Sequence, residues 1–166
     1  MKEHTFVTHG FGPVYDENSR ILILGSFPSV KSREMQFYYG HPQNRFWKLL
    51  GMIYGEPVPD TVDGRRDFAL RSGVALWDSI ESCRIVGSSD SSIRDAEPTD
   101  IRLILDHAPI ARIYANGNTS LKMYQKYQLA HTGREAIGLP STSPANAAWS
   151  LERLTLAWET ALKPYL

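Results

Sequence analysis

The segment Tyr38–Lys48 carries residue types that could recognise and act on a flat heterocyclic base. It contains two adjacent tyrosines, His41 and Asn44, and aromatic faces stack on bases while imidazole and amide groups hydrogen-bond to base edges. The segment lies just past the apolar run Ile21–Leu24, which ends in Gly25-Ser26-Phe27-Pro28-Ser29. A short aliphatic run ending in Gly and Pro predicts a buried strand that opens into a loop, where ligands bind in open α/β sheets.

Three further polar turns follow apolar runs. Asp78 ends the run Val74–Trp77, and Asn116 follows the run Ile110–Ala115. A third turn, residues 141–146, precedes a helical pattern, and hydroxyls and backbone amides at a helix N-terminus suit a phosphate. Its candidate contact residues are Ser141, Ser143, Pro144, Ala145 and Asn146.

Each of these turns also has a plain structural interpretation. The Gly25–Ser29 segment could be an ordinary strand-to-helix turn, and Asn44 could cap the helix that follows it. Asp78 and the turn 141–146 contain residues that often form local caps or turns. A loop histidine beside a proline, such as His41, is more typical of a hydrogen-bonded structural residue than of a proton donor. Together, however, the turns are expected to meet at one edge of one sheet.

Composition narrows the class of protein. The 166 residues suit one domain spanning 1–166, and their 18 basic and 18 acidic residues argue against broad electrostatic coating of nucleic acid. The single cysteine, Cys83, and five histidines without helical metal-ligand spacing predict no disulfide, no metal and no cofactor. The apolar runs are of strand length and the first residues lack a signal-peptide pattern, so we expect a cytoplasmic protein, near the nucleoid if it is bacterial, with no membrane contact.

Alternation of strand and helix patterns predicts the fold. Helical patterns fill the gaps between four strand candidates, and such alternation favours a parallel sheet covered by helices on both faces. We therefore expect a three-layer α/β/α sandwich with a short central parallel sheet of about four strands. The strand candidates are Ile21–Leu24, Val74–Trp77, Ile110–Ala115 and Ala136–Leu139, and the helical patterns are Arg45–Tyr54, Gly64–Arg71, Gly117–Tyr127, Trp149–Leu162 and one beginning at Pro98.

The run His41-Pro42-Gln43-Asn44-Arg45-Phe46-Trp47-Lys48, placed after the strand end Gly25–Pro28, resembles the first motif region of the uracil-DNA glycosylase superfamily. The mismatch-specific branch of that family has a similar H-P-x-N-R-F-W-K run. The segment Leu139–Leu154 is similar to the second motif and the helix that follows it. Between them, Gly73–Asp78 and Ile113–Gly117 resemble two intervening strand ends, so the similarity extends over most of the chain.

Two departures indicate a particular branch of this family. Phe27 stands where the family commonly has an Asp or Asn that positions water, and Ser141 begins a second motif that often begins with His or Asn. The pattern is similar to the hypoxanthine-DNA (deoxyinosine) glycosylases, which have G-S-[FM]-P and Y-Y-x-[HN]-P-x-N-x-F-W. The resemblance implies base excision repair of DNA that contains a deaminated base, by an enzyme expected to be a monomer.

The resemblance also implies roles for individual residues. Asn44 would be the catalytic residue, its carbonyl orienting a water beneath the anomeric carbon, and Tyr39 would stack on the flipped base. Gly25, Ser26, Phe27, Asp78 and Asn116 would surround the base, with Asp78 accepting a hydrogen bond from N1–H of hypoxanthine. The turn 141–146 would pinch the DNA backbone and fill the vacated stack. Apart from Lys48 at the end of the first motif, no lysine falls at a matching motif position, so no lyase step is expected.

Three alternatives remain open from the sequence. The enzyme could act on uracil or mismatched bases, although Phe27 and Ser141 argue against strong uracil activity. It could be a non-catalytic DNA-binding module of the same fold, against which the retained Asn44 weighs. It could also be an unrelated nucleotide-binding α/β enzyme, although the sequence has no G-x-x-x-x-G-K-[ST] phosphate loop.

Overall fold

A computed structural model describes residues 3–165 of the chain. A four-stranded parallel sheet lies at its centre, with the spatial order β3-β2-β6-β7. Its strands are β2 (Ile21–Gly25), β3 (Val74–Asp78), β6 (Arg112–Asn116) and β7 (Ala136–Leu139). Every residue of β2 and β3 is buried, as expected for parallel strands that are covered on both faces. The predicted fold class and all four predicted strands are confirmed, with shifts of one or two residues at some ends.

The strand register brings the polar strand ends together. Gly25 pairs with Asp78 in the neighbouring strand β3, and Leu24 pairs with Ala115 in β6 on the other side. Asn116 in turn pairs with Leu139 at the end of β7. Because all four strands are parallel, these carboxyl ends lie at one edge of the sheet, where the loops can form a ligand site.

Seven α-helices are described among residues 3–165, and most of the predicted helices are found. The prediction of a helix beginning at Pro98 is wrong in its start. Pro98 is the last residue of a strand, and the helix is the single turn Arg102–Leu105. None of the helices within the described residues has the length and apolarity needed to cross a membrane. The helices are α1 (Val30–Met35), α2 (Phe46–Tyr54), α3 (Val62–Arg71), α4 (Arg102–Leu105), α5 (Asn118–Tyr127), α6 (Leu129–Thr132) and α7 (Leu151–Leu162).

A second, antiparallel sheet was not predicted from the sequence. It has the order β1-β4-β5, formed by β1 (Thr5–Thr8), β4 (Ile80–Ile85) and β5 (Arg94–Pro98). Only one residue separates β3 from β4, so this sheet continues directly from the carboxyl end of the parallel sheet. It has a small apolar cluster of its own, to which Phe27 belongs. The sheet therefore forms one wall beside the predicted site.

Candidate active site

One cavity of about 410 Å³ gathers the predicted site residues at the carboxyl edge of the parallel sheet. All of them except Asn146 line it, which places residues from five separate segments of the chain around a single cleft. The lining includes Gly25, Ser26, Phe27, Tyr39, His41, Asn44, Asp78, Asn116, Ser141, Ser143, Pro144 and Ala145.

The floor of the cleft is formed where Gly25 meets Asp78. A Cβ atom at Gly25 would lie 2.4 Å from Asp78 Oδ1, closer than any real Cβ contact, so only glycine leaves room for this carboxylate. Next to Gly25, the Ser26 hydroxyl donates a hydrogen bond of 2.7 Å to Asp90 Oδ2. Burial raises the pKa of Asp90. The hydrogen bond from Ser26 lowers this pKa in part, and the negative charge of Asp78 raises it further. The cleft thus contains two carboxyl groups, Asp78 and Asp90.

Asp78 is hydrogen-bonded to His9, a residue that does not line the cleft and was not predicted from the sequence. His9 Nε2 lies 2.7 Å from Asp78 Oδ2, and the two side chains are 0% and 6% exposed. The second ring nitrogen, His9 Nδ1, donates to the backbone carbonyl of Phe11 at 2.9 Å. Burial by itself would lower the pKa of His9, but the hydrogen bond with Asp78 and the charge of Asp78 raise the pKa above its ordinary value of 6.5. We refer to His9 and Asp78 as the charged pair.

Tyr39 presents its ring to the cleft from an uncommon backbone conformation. Its φ angle is +53°, in the left-handed region that non-glycine residues rarely adopt and that is frequent at functional sites. The ring stacks on Phe46 of α2, with the centroids 4.1 Å apart. The Tyr39 hydroxyl is buried near Asn116 but makes no hydrogen bond of good geometry. Burial and then the charge of Asp78 raise the pKa of this phenol, so it stays protonated.

Asn44 is held by a network of neutral hydrogen bonds. Its Oδ1 accepts from the backbone N–H of Phe46 at 3.0 Å and from the Thr142 hydroxyl at 2.8 Å. Thr142 Oγ1 in turn accepts from Asn116 Nδ2 at 3.0 Å, and the Thr142 N–H donates to Asn116 Oδ1 at 3.0 Å. We refer to Asn44, Asn116 and Thr142 as the amide network.

The amide network changes the expected role of the Asn44 carbonyl. Because Phe46 N–H can only donate, the atom facing it must be Oδ1, and this settles the orientation of the Asn44 amide. Both lone pairs of that oxygen are taken by protein donors, so the expectation that it orients a water is not supported by this arrangement. The amino group Nδ2 has no hydrogen-bond partner among the described side chains and backbone groups, and it is the end left for a ligand or water. Asn44 both bonds to the start of α2 and lines the cleft.

Arg45 fixes the loop that contains Thr142 against the start of α2. Its guanidinium donates to the backbone carbonyls of Ser143 and Asn146, both at 3.0 Å, and to that of Trp149. Its backbone N–H donates to the Thr142 carbonyl at 3.1 Å. Since Arg45 follows Asn44 directly, this clamp keeps Asn44 beside Thr142.

The turn 141–146 is folded by its own hydroxyl groups. Ser141 Oγ accepts from the Ser143 N–H and Ser143 Oγ accepts from the Ala145 N–H, each at 3.1 Å. An oxygen that accepts in this way keeps its O–H proton, which remains able to bind a phosphate oxygen. The turn is not the N-terminus of a helix, as the phosphate-site expectation required, because α7 begins at Leu151 with Ser150 as its cap. The Asn146 amide donates to the Ser141 carbonyl and so braces the turn from outside the cleft.

His41 and Gly117 lie in turns beside the cleft. His41 is exposed, lines the cleft and accepts a hydrogen bond at Nδ1 from the Gln43 N–H at 3.1 Å, so its role stays a prediction. Gly117 has φ +100°, and a Cβ there would lie 3.0 Å from Ser141 Cβ. The turn after Asn116 therefore requires glycine in order to pass close to the turn 141–146.

Sequence reasoning missed several residues of the site. His9, Asp90 and Thr142 all contact predicted site residues, but His9 and Asp90 lie outside the matched motifs. Thr142 lies within the turn 141–146, and its position between two selected serines was the signal available for it. Among residues 3–165, no group of three or more His, Cys, Asp or Glu side chains could hold a metal ion.

A wider depression of about 840 Å³ adjoins the cleft. It shares Asn116, Ser141 and Ala145 with the cleft and also contains Asn146 and Trp149. The Ser-rich segment Ser88–Ser91 lies along it, so hydroxyl and amide groups border an extended surface leading into the cavity.

Comparisons with known proteins agree with this geometry. Residues 13–162 match the family model described as the uracil DNA glycosylase superfamily. Two proteins named hypoxanthine DNA glycosylase are similar over nearly the whole chain: one from Methanosarcina barkeri is 36% identical (93% of this chain, 97% of the relative), and one from Methanosarcina acetivorans is 35% identical (95% and 99%). A solution NMR structure of a Methanosarcina acetivorans protein, provisionally assigned to the uracil DNA glycosylases, superposes with a TM-score of 0.78 at 36% identity, covering 94% of this chain and 96% of that one. The chain therefore belongs to the uracil DNA glycosylase superfamily.

Proposed function

We propose that this protein is a monofunctional DNA glycosylase that removes hypoxanthine, a deaminated base, from DNA during base excision repair. The observation that carries the proposal is the single cleft in which Gly25, Tyr39, Asn44 and Asp78 meet beside the turn 141–146. Two relatives that cover almost the whole chain are named hypoxanthine DNA glycosylase, which supports this choice of base.

Access to the bond requires that the nucleotide be flipped out of the duplex. Flipping costs a few kcal/mol and costs least for a mispaired base, which favours lesions over normal pairs. Tyr39, backed by Phe46 on one side, offers its ring as a stacking surface for the flipped base. The hydroxyls of Ser141 and Ser143 hold the flanking phosphates, and the depression beside the cleft receives the strand.

Recognition of hypoxanthine rests on the edge of the base that differs from adenine. Hypoxanthine presents N1–H as a donor and O6 as an acceptor, whereas adenine presents N1 as an acceptor and an amino group as a donor. Asp78 Oδ1, exposed to the cleft beside Gly25, accepts a hydrogen bond from N1–H. The buried Tyr39 hydroxyl, which is not paired within the protein, stays protonated and can donate to the base.

Hydrolysis replaces the bond between C1′ of deoxyribose and N9 of the base with a bond from C1′ to a water oxygen. The base leaves with the electron pair of the broken bond and takes up a proton, and the water loses one. Asn44 positions the attacking water: its Nδ2–H donates to one lone pair of the water oxygen, and the other lone pair faces C1′. Since an amide does not act as a base at neutral pH, the remaining acceleration comes from fixed dipoles around the developing charge. The products are the free base and an abasic site, with no lyase step.

We also propose that one copy of the chain is the active unit. The family model covers residues 13–162, which supports a single-domain enzyme, and a monomer is the simplest form for an enzyme that must reach around a duplex; we propose that it acts on DNA in the cytoplasm, or at the nucleoid of a bacterium. Light scattering during size-exclusion chromatography, with and without a bound oligonucleotide, measures the oligomeric state; a stable dimer with DNA would contradict this part of the proposal.

The test uses end-labelled oligonucleotides that each carry one hypoxanthine, uracil, xanthine or normal base. Each is incubated with the protein and then with hot alkali, which cleaves the strand at abasic sites. We expect cleavage at hypoxanthine, and its loss in Asn44→Ala. Asn18→Ala is the matched control, because Asn18 is exposed and outside the cleft. Circular dichroism checks folding, since Asn44 also bonds to the Phe46 N–H.

The other outcomes of this assay identify the alternatives. Cleavage chiefly at uracil would keep the reaction and overturn the choice of base. Absence of cleavage at every base, with oligonucleotide binding intact, would indicate a non-catalytic DNA-binding module. Equal cleavage by Asn44→Ala and the intact protein would remove Asn44 from the mechanism.

A further inference from the structure

His9 is buried at the candidate site but has no part in the mechanism described so far. It lies just after β1, and its ring is 0% exposed. Its backbone N–H donates to the Glu81 carbonyl at 2.7 Å, and its ring packs at a tilt against Phe11, with centroids 4.4 Å apart. A wholly buried imidazole needs partners for both ring nitrogens, and here these are the Phe11 carbonyl and the Asp78 carboxyl group.

These two partners fix where the protons are. A backbone carbonyl can only accept, so His9 Nδ1 carries a proton. The distance of 2.7 Å between His9 Nε2 and Asp78 Oδ2 requires a second proton between them, since two lone pairs would repel. Burial favours loss of the charge on His9, but the hydrogen bond and charge of Asp78 raise its pKa overall. The contact itself needs one proton between Nε2 and Oδ2, and the raised pKa of His9 favours the form in which that proton lies on the imidazole, an imidazolium facing a carboxylate.

The pair divides the two oxygens of Asp78 between two tasks. Oδ2 is taken by His9, while Oδ1 lies at the carboxyl end of β2, where glycine at position 25 leaves it room. Asp78 lines the cleft, and His9 does not. His9 can therefore influence the base only through Asp78.

We infer that His9 is a positioning residue that keeps Asp78 an ionised hydrogen-bond acceptor in the cleft, and thereby selects bases that carry a ring N–H on the edge read by Oδ1. This inference rests on the proposed function. Hypoxanthine, xanthine and uracil have such an N–H, as do guanine and thymine, whereas adenine and cytosine have an acceptor nitrogen at the corresponding position. The pair therefore discriminates against adenine and cytosine, while stable pairing in the duplex protects guanine and thymine. With its proton on Oδ1, Asp78 would become a donor and would oppose N1–H of hypoxanthine.

The surroundings of Asp78 make the cation of His9 necessary. Among the described residues, His9 is the cationic group paired with Asp78, whereas Glu81 on β4 and Asp90 in its turn are acidic. The phenols of Tyr38 and Tyr39 also face Asp78, and both remain protonated because burial raises their pKa values. Without the imidazolium, the charge of Asp78 would be buried beside acidic groups with no counter-ion, which is costly in free energy.

The test compares the pH dependence of kcat/KM for hypoxanthine excision in His9→Gln and the intact protein. Glutamine offers an N–H donor to Asp78 Oδ2 but no charge. We expect kcat/KM to fall by at least about tenfold below neutral pH and to recover as pH rises, so that the acid limb of the profile moves to higher pH. His131→Gln, a change in an exposed histidine of α6, should leave the profile unchanged.

Two results would overturn the inference. A loss of the same size at every pH, with the acid limb in place, would give His9 a packing role only. A profile that coincides with that of the intact protein would give it no role in recognition.

The charge on His9 is measured separately by the ¹⁵N chemical shifts of its imidazole. We expect both ring nitrogens to be protonated at about pH 7 in the intact protein, and one of them to lose its proton in Asp78→Asn. A neutral His9 in the intact protein overturns the inference even if hypoxanthine is excised. If the intact protein excises no hypoxanthine, the proposed function fails, and these shifts still decide whether the pair is ionised.

Discussion

The charged pair and the amide network lie at the same cleft but hold their side chains by different means. His9 donates a hydrogen bond to Asp78 within a buried pair, whereas Asn44, Asn116 and Thr142 are joined by neutral groups that do not titrate in the range where proteins function. In the proposed mechanism this difference separates two tasks: the charged pair reads the base, and the amide network positions the group that acts at the sugar. We therefore expect the charged pair, and not the amide network, to contribute to the pH dependence of recognition.

The substitution Gly25→Ala should disturb the charged pair most, because the new Cβ would meet Asp78 Oδ1 at 2.4 Å. Either the carboxylate or strand β2 must move, and the acceptor leaves its position in the cleft. We expect kcat/KM for hypoxanthine to fall by at least about 100-fold, which corresponds to roughly 2.7 kcal/mol. The oligonucleotide assay under single-turnover conditions measures this change.

Gly12→Ala is the control for this substitution. A Cβ at Gly12 meets no atom within 4 Å, and its backbone is not in the left-handed region. We expect normal excision by Gly12→Ala. If Gly25→Ala were equally active, Asp78 would not need its observed position, and the division of tasks between the two parts of the cleft would be lost.

The sequence predicted the parallel sheet better than the antiparallel one, for a physical reason. Strands buried on both faces appear as continuous apolar runs such as Ile21–Leu24, which can be identified without a partner. Strand β5, Arg94–Pro98, is largely polar, and its pairing with β4 has register shifts, so the strand depends on its neighbour more than on its own residues. Strand β4 alternates only at its end, where Cys83 and Ile85 are buried around the exposed Arg84; the buried Ile80 is out of step with them, so the available signal was weak.

The two parts of the cleft also differ in how readily the sequence reveals their residues. Asn44 lies in a recognisable motif and Asn116 follows a recognisable strand, so both were predicted. His9 was not found, because its partner Asp78 is 69 residues away and no local pattern links a histidine after one strand to a carboxylate at the end of another. Such a pair is specified by the packing of β1 and β4 beside the parallel sheet, which the sequence does not show locally.

The substitution Thr142→Val tests the amide network by removing the hydroxyl that joins its two asparagines. Thr142 is 0% exposed, so valine keeps the shape while Asn44 Oδ1 and Asn116 Nδ2 each lose a partner. We expect kcat for hypoxanthine excision to fall about tenfold, the equivalent of roughly 1.4 kcal/mol, with little change in KM. The shape of the pH profile should not change, because no titrating group is altered.

Thr142→Ser and Thr160→Val are the matched controls for this substitution. Serine restores the hydroxyl and should restore most of kcat, while Thr160 is exposed on α7 and outside the cleft. A shift in the pH profile of Thr142→Val would show that the two parts of the cleft are coupled.

The smallest expected effect is on stability: the charged pair should make the free energy of unfolding depend on pH. The pKa of His9 is raised in the folded protein, so its stabilising contribution is fully present below its ordinary value of 6.5 and is lost as pH rises through the raised value. The free energy of unfolding of the intact protein should exceed that of Asp78→Asn by an amount that narrows as pH rises above the ordinary pKa of 6.5. The narrowing should be of the order of 1 kcal/mol, since hydrogen bonds to charged groups contribute about 1.5–3 kcal/mol and desolvation of the imidazolium offsets part of this.

Urea denaturation at several pH values measures this narrowing, with Asp67→Asn as the control. Asp67 forms an exposed pair with Arg71 at 3.1 Å, and such pairs contribute little. The effect of Asp67→Asn on the free energy of unfolding should be flat over the same range of pH, because this exposed pair contributes little at any pH. A difference between the intact protein and Asp78→Asn that widens with pH would mean that His9 is neutral when folded. The proton between His9 and Asp78 would then lie on Asp78, and neutral groups would hold both parts of the cleft.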